Sequence, residues 1–211
     1  MKRLQTIAQK LKPYRKIADI GCDHGYLIIE AFKINNDFEF IAIDNKNGPL
    51  NTCRENISKL SYSDKVRFSL SSGIKDINDD TEVLVLAGMG GMLVCDILKD
   101  NIKNTQRIIT CANRNNYNVR KYITSLGFKI TDEDLVNENN KYYQIIVFDK
   151  SKEICTLTEK ELMFGPIFIK EKKDIYISYL KNELETLLKI ENVHKSDEIE
   201  TKIEMIRSII K

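Results

Sequence analysis

The sequence predicts an α/β fold: a mostly parallel sheet with helices on both faces, closed by an antiparallel last strand and followed by a helical hairpin. Three observations predict it. Short apolar runs alternate with helix-period segments from residue 17 to residue 127, the order of right-handed βαβ units. Two strand-like segments, 128–138 and 142–149, are then separated only by Asn139-Asn140-Lys141. No crossover helix fits that gap, so the pair forms an antiparallel hairpin. Past Ser151 the pattern changes to two apolar stripes at helical spacing. These changes divide the chain into a sheet domain over 1–151 and a helical hairpin, coiled-coil-like, over 152–211.

Taken in order, Leu4, Ile7, Ala8 and Leu11 make one face of a short helix that Pro13 stops. Its other face carries Lys2, Arg3, Lys10 and Lys12, with Arg15 and Lys16 following, which reads either as a solvated face or as a contact for RNA. Residues 17–21 form a buried strand, 26–34 a helix, and 38–44 a second strand ending in an acid. Gly48-Pro49 opens a helix to about residue 60, proline being tolerated in a first turn. Residues 66–72 are a third strand, and 83–87, Val-Leu-Val-Leu-Ala, a fourth of the kind buried on both faces. Gly90-Gly91 leads into a helix through 98, 107–112 is the fifth strand, and 117–126 a helix closed by Gly127. Such βα units capped by a hairpin resemble the Rossmann-like sheet of class I methyltransferases, whose last strand is antiparallel. A nucleotide dehydrogenase more usually continues with a parallel crossover.

In the C-terminal region Leu180, Leu184, Leu187 and Leu188 make one stripe and Ile199, Ile203, Ile206 and Ile210 the other. Asp197 with Glu200 is placed to cap the second helix. A first arm over 171–190 would be about 30 Å long. Two readings stand for this hairpin: it packs back on the domain, or it grips a partner.

Composition narrows the class. With 42% hydrophobic and 30% charged residues and a formal charge of +2, the chain reads as a soluble globular protein whose overall charge neither demands nor excludes nucleic acid. The five cysteines are scattered with no CxxC pair, and the two histidines lie far apart. A zinc site and a disulfide framework are therefore not expected, and a reducing cytoplasm is. The basic N-terminus lacks an apolar signal core and no long apolar run occurs, so neither secretion nor membrane association is expected.

The chemistry concentrates in loops that follow strands, where open α/β sheets bind ligands. Asp19-Ile20-Gly21-Cys22-Asp23-His24-Gly25 lies between the first strand and its helix. Its glycines allow a tight turn and close backbone approach. The spacing is not the GxGxxG dinucleotide fingerprint, and Asp23 would repel a pyrophosphate but suit a cation. Asp44, with Asn45 after it, ends the second strand about twenty residues on, where a carboxylate can accept both ribose hydroxyls. Ser72-Gly73 follows the third strand and leaves room for an adenine ring. Ala87-Gly88-Met89-Gly90-Gly91 follows the fourth, with Met89 as an apolar wall. Each loop taken alone also fits a plain packing turn.

The stretch from Asp19 to Leu27, together with Ala87-Gly88-Met89-Gly90-Gly91, resembles the bacterial tRNA (adenine-22-N1)-methyltransferase family, TrmK. Arg3-Leu4-Gln5-Thr6-Ile7-Ala8, Gly48-Pro49 and Gly165-Pro166 fit it too, so the resemblance spans nearly the whole chain. The chain departs from it after the fifth strand, where Cys111-Ala112-Asn113 keeps only the asparagine of a Gln-Pro-Asn-like segment. It departs again in the third loop, where Ser71-Ser72-Gly73 lacks the acid often found there.

The resemblance implies S-adenosyl-L-methionine as cofactor, S-adenosyl-L-homocysteine as product, and methylation of N1 of a tRNA adenine. It implies no metal, and a monomer is expected. Asp23 and Asn113 are candidates for an acceptor that stabilises the methylated ring or takes an N6 proton, Asp23 equally for holding the cofactor ammonium. His24 is a candidate for orienting cofactor or base. Tyr26 could stack on the target base or simply belong to its helix. Arg3, Arg114, Arg120 and lysines of the helical hairpin are the expected RNA contacts. Competing readings are a methyltransferase for another base, a protein or a small molecule, and, in a different class, a cofactor-holding RNA-binding protein without turnover.

Overall fold

Five short strands pair in parallel because most of their residues are apolar on both faces, leaving helices to cover either side. In the computed structural model these are β1 (Lys16–Ile20), β2 (Glu39–Asp44), β3 (Val66–Leu70), β4 (Val83–Ala87) and β5 (Arg107–Cys111). The hairpin strands β6 (Phe128–Glu138) and β7 (Lys141–Lys150) complete one sheet of order β3-β2-β1-β4-β5-β7-β6. The structure describes every residue except Asn101, Lys103 and Ile154. The chain divides into two units, Met1–Thr156 and Leu157–Lys211.

Strand β1 pairs in parallel with both β2 and β4, so the order of connection reverses beside it. That reversal opens a crevice at the C-terminal ends of β1 and β4. Alternate residues of β1 face opposite layers of core. Ile17 packs with residues of α1 (Lys2–Gln9), α2 (Tyr26–Phe32) and α3 (Asn47–Ile57), and Ala18 and Ile20 pack with α4 (Gly91–Ile97) and α5 (Asn116–Ser125).

The structure shortens β3, expected to reach Ser72, to Leu70: the ladder ends at the Asp44–Leu70 pair, and the Ser71 N–H donates to the Asp44 carbonyl. It also starts β7 at Lys141, which pairs with Glu138. Asn139 and Asn140 make a two-residue turn, both left-handed at φ 53° and 59°, as a type I′ turn requires. The basic outer face expected of α1 is partly neutralised, because Lys10 pairs with Asp132 and Asp134 of β6 and Lys16 pairs with Asp80.

The second unit is more broken than its stripes suggest. Two short helices precede the arm: α6 (Glu159–Phe164), started by a capping box between Thr158 and Glu161, and α7 (Pro166–Glu171). Lys172, left-handed at φ 49°, then interrupts the chain. The arm α8 is therefore Asp174–Glu191, starting later than residue 171. The cap of α9 (Asp197–Ile210) is Ser196, whose side chain accepts from the Ile199 N–H; Asp197 lies inside the first turn instead. Leu180 of α8 is buried, as are Ile203, Ile206 and Ile209 of α9, so the seam turns onto Ile209 rather than Ile210.

Candidate functional site

The β1–α2 loop is shaped by three left-handed residues, Gly21, Asp23 and Gly25. At Gly25 a side chain is excluded twice, because φ is +75° and a Cβ would meet Cys53 Sγ at 2.7 Å. The loop is tied to β2 by the Gly21 and Cys22 N–H groups, which donate to the Ile43 carbonyl. Asp44 tightens the tie: its Oδ2 accepts from the Asp23 N–H at 3.2 Å and its Oδ1 from the Lys46 N–H at 2.9 Å.

Around this knot lies a cavity of about 540 Å³, a size suited to a nucleoside-type ligand. It brings together Asp19, Gly21 and Asp23 from the first loop, Asp44 and Asn45 from the second, Ser72 and Gly73 from the third, and Ala87, Gly88 and Met89 from the fourth. Tyr26 and Arg3 also line it. Arg3 is not simply part of a solvated face: its guanidinium lies 4.5 Å over the Tyr143 ring and its Nε is buried without a partner. Met1 and Leu4 of the N-terminal segment, Cys22, and Leu93 and Ile97 of α4 are further lining residues that the sequence reading missed. The apolar period of α1 showed that it packs, but not that α2 holds it beside the crevice.

Three carboxylates in one cavity favour a cation, and Asp19 shows how strongly. It is buried, with Oδ2 lacking any hydrogen-bond partner. Burial, then the charges of Asp44 and Asp23, raise its pKa from 3.8 to about 7. Because the folded value lies above the unfolded one, its contribution to the stability of the ligand-free protein is full below about pH 4 and is lost as pH rises through about 7. A ligand cation reverses that preference by favouring the ionised form. Its affinity is expected to rise from about pH 5 to about pH 7 and then level off, with proton release on binding. Titration calorimetry in buffers of different ionisation enthalpy reads that proton, and Asp19→Asn should flatten the pH dependence. Cys22 is no nucleophile here, since a hydrogen bond with Cys53 and burial push its thiol well above the ordinary range.

Other expected site residues lie outside the cavity lining. His24 has its Nε2 3.4 Å from Asp23 Oδ1 and stands 5.7 Å from the Tyr26 ring. Asn113 and Arg114 sit in the loop after β5, both exposed. That loop is laced to the one after β4. Gly88 N–H donates to the Cys111 carbonyl, Asn113 N–H to Met89, Gly91 N–H to Arg114, and Asn113 Nδ2 to the Gly88 carbonyl at 2.7 Å. The close approach needs Gly91, where a Cβ would lie 2.7 Å from the Arg114 and Asn115 carbonyl oxygens. Arg120 is a correction: it is fully buried, bonded to Glu133 Oε1 at 2.9 Å and Gln144 Oε1 at 2.8 Å. It ties α5 to the hairpin strands and cannot reach a phosphate. Among the described residues no group of three His, Cys, Asp or Glu side chains is placed to hold a metal ion.

Comparison with known proteins agrees with this geometry. A family model described as tRNA (adenine(22)-N(1))-methyltransferase, TrmK, matches residues 17–211. A Bacillus subtilis tRNA (adenine(22)-N(1))-methyltransferase is 25% identical over 99% of this chain and 96% of its own. The structure of M. capricolum TrmK in complex with S-adenosyl-homocysteine superposes with a TM-score of 0.88 at 30% identity, covering 100% of this chain and 99% of that one. A Streptococcus pneumoniae protein solved with S-adenosyl-L-methionine is 25% identical, with a TM-score of 0.91 over 100% of this chain and 99% of that one.

Proposed function

Because the chain belongs to the tRNA (adenine(22)-N(1))-methyltransferase family, we propose that it methylates N1 of an adenine in tRNA, at position 22, with S-adenosyl-L-methionine as donor. The observation that carries the reading is the convergence of Asp19, Asp23 and Asp44 on one cavity at the sheet's switch point. When bound, the donor supplies an electrophilic methyl group on a cationic sulfur. Asp44 is suited to accept from the ribose hydroxyls, since its backbone bonds fix both oxygens in place. Asp19 and Asp23 would hold the cationic groups of the donor, which would give the partnerless Asp19 Oδ2 a partner. Ser72 and Gly73 would border its adenine, with Met89, Leu93 and Ile97, which also line the cavity, as apolar wall.

Neutral adenine N1 bears a lone pair and needs no strong base to attack, so these residues act chiefly by alignment. N1 lies on the Watson–Crick edge, and the nucleotide must be unpaired or extruded to reach the cavity. Tyr26, 42% exposed at the mouth, offers a ring against which such a base can stack. Arg3, which lines the cavity, and Arg114, exposed in the loop after β5, are read as aids in holding the RNA backbone, and the α8–α9 hairpin as an aid to tRNA docking. No described helix is long and apolar enough to cross a membrane; we place the enzyme in the cytoplasm as a monomer.

Incubating the protein with methyl-labelled donor and unmodified tRNA tests this directly. Label should appear in tRNA and elute as 1-methyladenosine after nucleoside digestion. Label in another nucleoside, or tRNA binding without label, would reject the reading.

A further inference from the structure

Asn113 is an exposed polar side chain of the laced loops that is itself bonded across them. Its Nδ2 is occupied by the Gly88 carbonyl, and its backbone N–H by that of Met89. Both partners line the cavity. The remaining atom of the amide, Oδ1, has no partner among the described residues, and the side chain is exposed. The bond to Gly88 sets the orientation of the amide, so that Oδ1 is presented to an incoming base as a hydrogen-bond acceptor, beside the second N–H of Nδ2.

We infer that Asn113 is the residue that selects adenine, its Oδ1 accepting a hydrogen bond from the exocyclic N6 amine beside the reacting N1. The inference rests on the proposed function and deepens it. As N1 takes the methyl group, positive charge spreads over N1, C6 and N6, and the N6 hydrogens become better donors. The bond to Oδ1 therefore strengthens as the reaction proceeds, which stabilises the transition state more than the bound substrate. No proton moves, because an amide oxygen is not a base at neutral pH, and the product leaves as the cation. Guanine would set its O6 carbonyl against Oδ1, acceptor facing acceptor, so this contact favours adenine over the other purine. Asp23 is less suited to the role: its carboxylate lies by His24, on the β1 side of the crevice.

The test is a double-mutant cycle between enzyme and substrate. Wild-type protein and Asn113→Ala are each assayed with tRNA carrying adenosine or purine riboside, which lacks the 6-amino group, at the target. Either change alone should lower kcat/KM by about 10- to 100-fold, chiefly through kcat, and the two together should cost little more than one. The lower basicity of N1 in purine riboside is common to both enzymes and cancels from the coupling. Asn113→Ala should keep its donor affinity by calorimetry and its melting temperature, because the backbone lacing remains. Asn113→Asp, which keeps an acceptor but repels the Gly88 carbonyl, should fall between. Additive losses, an unimpaired Asn113→Ala, or a loss of donor affinity parallel to the loss of activity would overturn the inference while 1-methyladenosine is still formed. Failure of the wild type to form 1-methyladenosine at all would overturn the proposed function and this inference with it.

Discussion

Asp44→Ala is expected to weaken S-adenosyl-L-methionine binding by about 100- to 10,000-fold, since charge-assisted hydrogen bonds contribute about 1.5–3 kcal/mol each and the ribose offers two. The effect is large because Asp44 does two things. It presents a carboxylate to the cavity, and it holds the Asp23 and Lys46 N–H groups, so truncation also loosens the turns on either side of the ligand. Asp44→Asn, which keeps one acceptor oxygen, should be about tenfold milder. Titration calorimetry measures both, and tRNA affinity, read separately by filter binding, should stay within about twofold of wild type because Asp44 is buried. A donor affinity for Asp44→Ala within about threefold of wild type would remove Asp44 from the ribose role.

Arg120→Ala should leave cofactor chemistry alone and strike stability. Its side chain is the largest fully buried one among the described residues, and its guanidinium pairs with Glu133, also fully buried. Removing one partner strands the other charge, at a cost of about 3–5 kcal/mol. For a unit of this size that lowers the melting temperature by about 6–20 °C. Replacing both partners, as in Arg120→Met with Glu133→Leu, should recover most of the loss. A melt of Arg120→Ala within about 2 °C of wild type would contradict the assignment. Unaltered tRNA affinity of the folded fraction is the second expectation, and it separates a structural arginine from one that contacts RNA.

The contrast between Asp44 and Arg120 shows what a single sequence can carry. Asp44 was legible because its place depends on local facts: an acid at the end of an apolar strand, at a set distance after a glycine turn. The hairpin was legible for the same reason, a polar gap too short to hold a helix. Arg120 was not, since its partners Glu133 and Gln144 lie on strands that follow later in the chain, and a lone arginine in an amphipathic helix looks solvated. The same applies to α1, whose apolar period was plain while its place beside the cavity depends on packing against α2. In the C-terminal unit the stripes were sound but their ends were not. The break at Lys172 is a backbone conformation that lysine does not announce, and Ser196 and Asp197 are adjacent residues of equal capping preference.

The lacing of the β4–α4 and β5–α5 connections has a corollary for how such proteins diverge. With Gly91 pressed against the carbonyls of Arg114 and Asn115, neither connection can be replaced without refitting the other. A chimera that borrows one segment from a relative should lose shape at both, whereas exchanging the pair together preserves the mutual fit. The two connections thus form one structural module, in which a change of shape on one side calls for a matching change on the other.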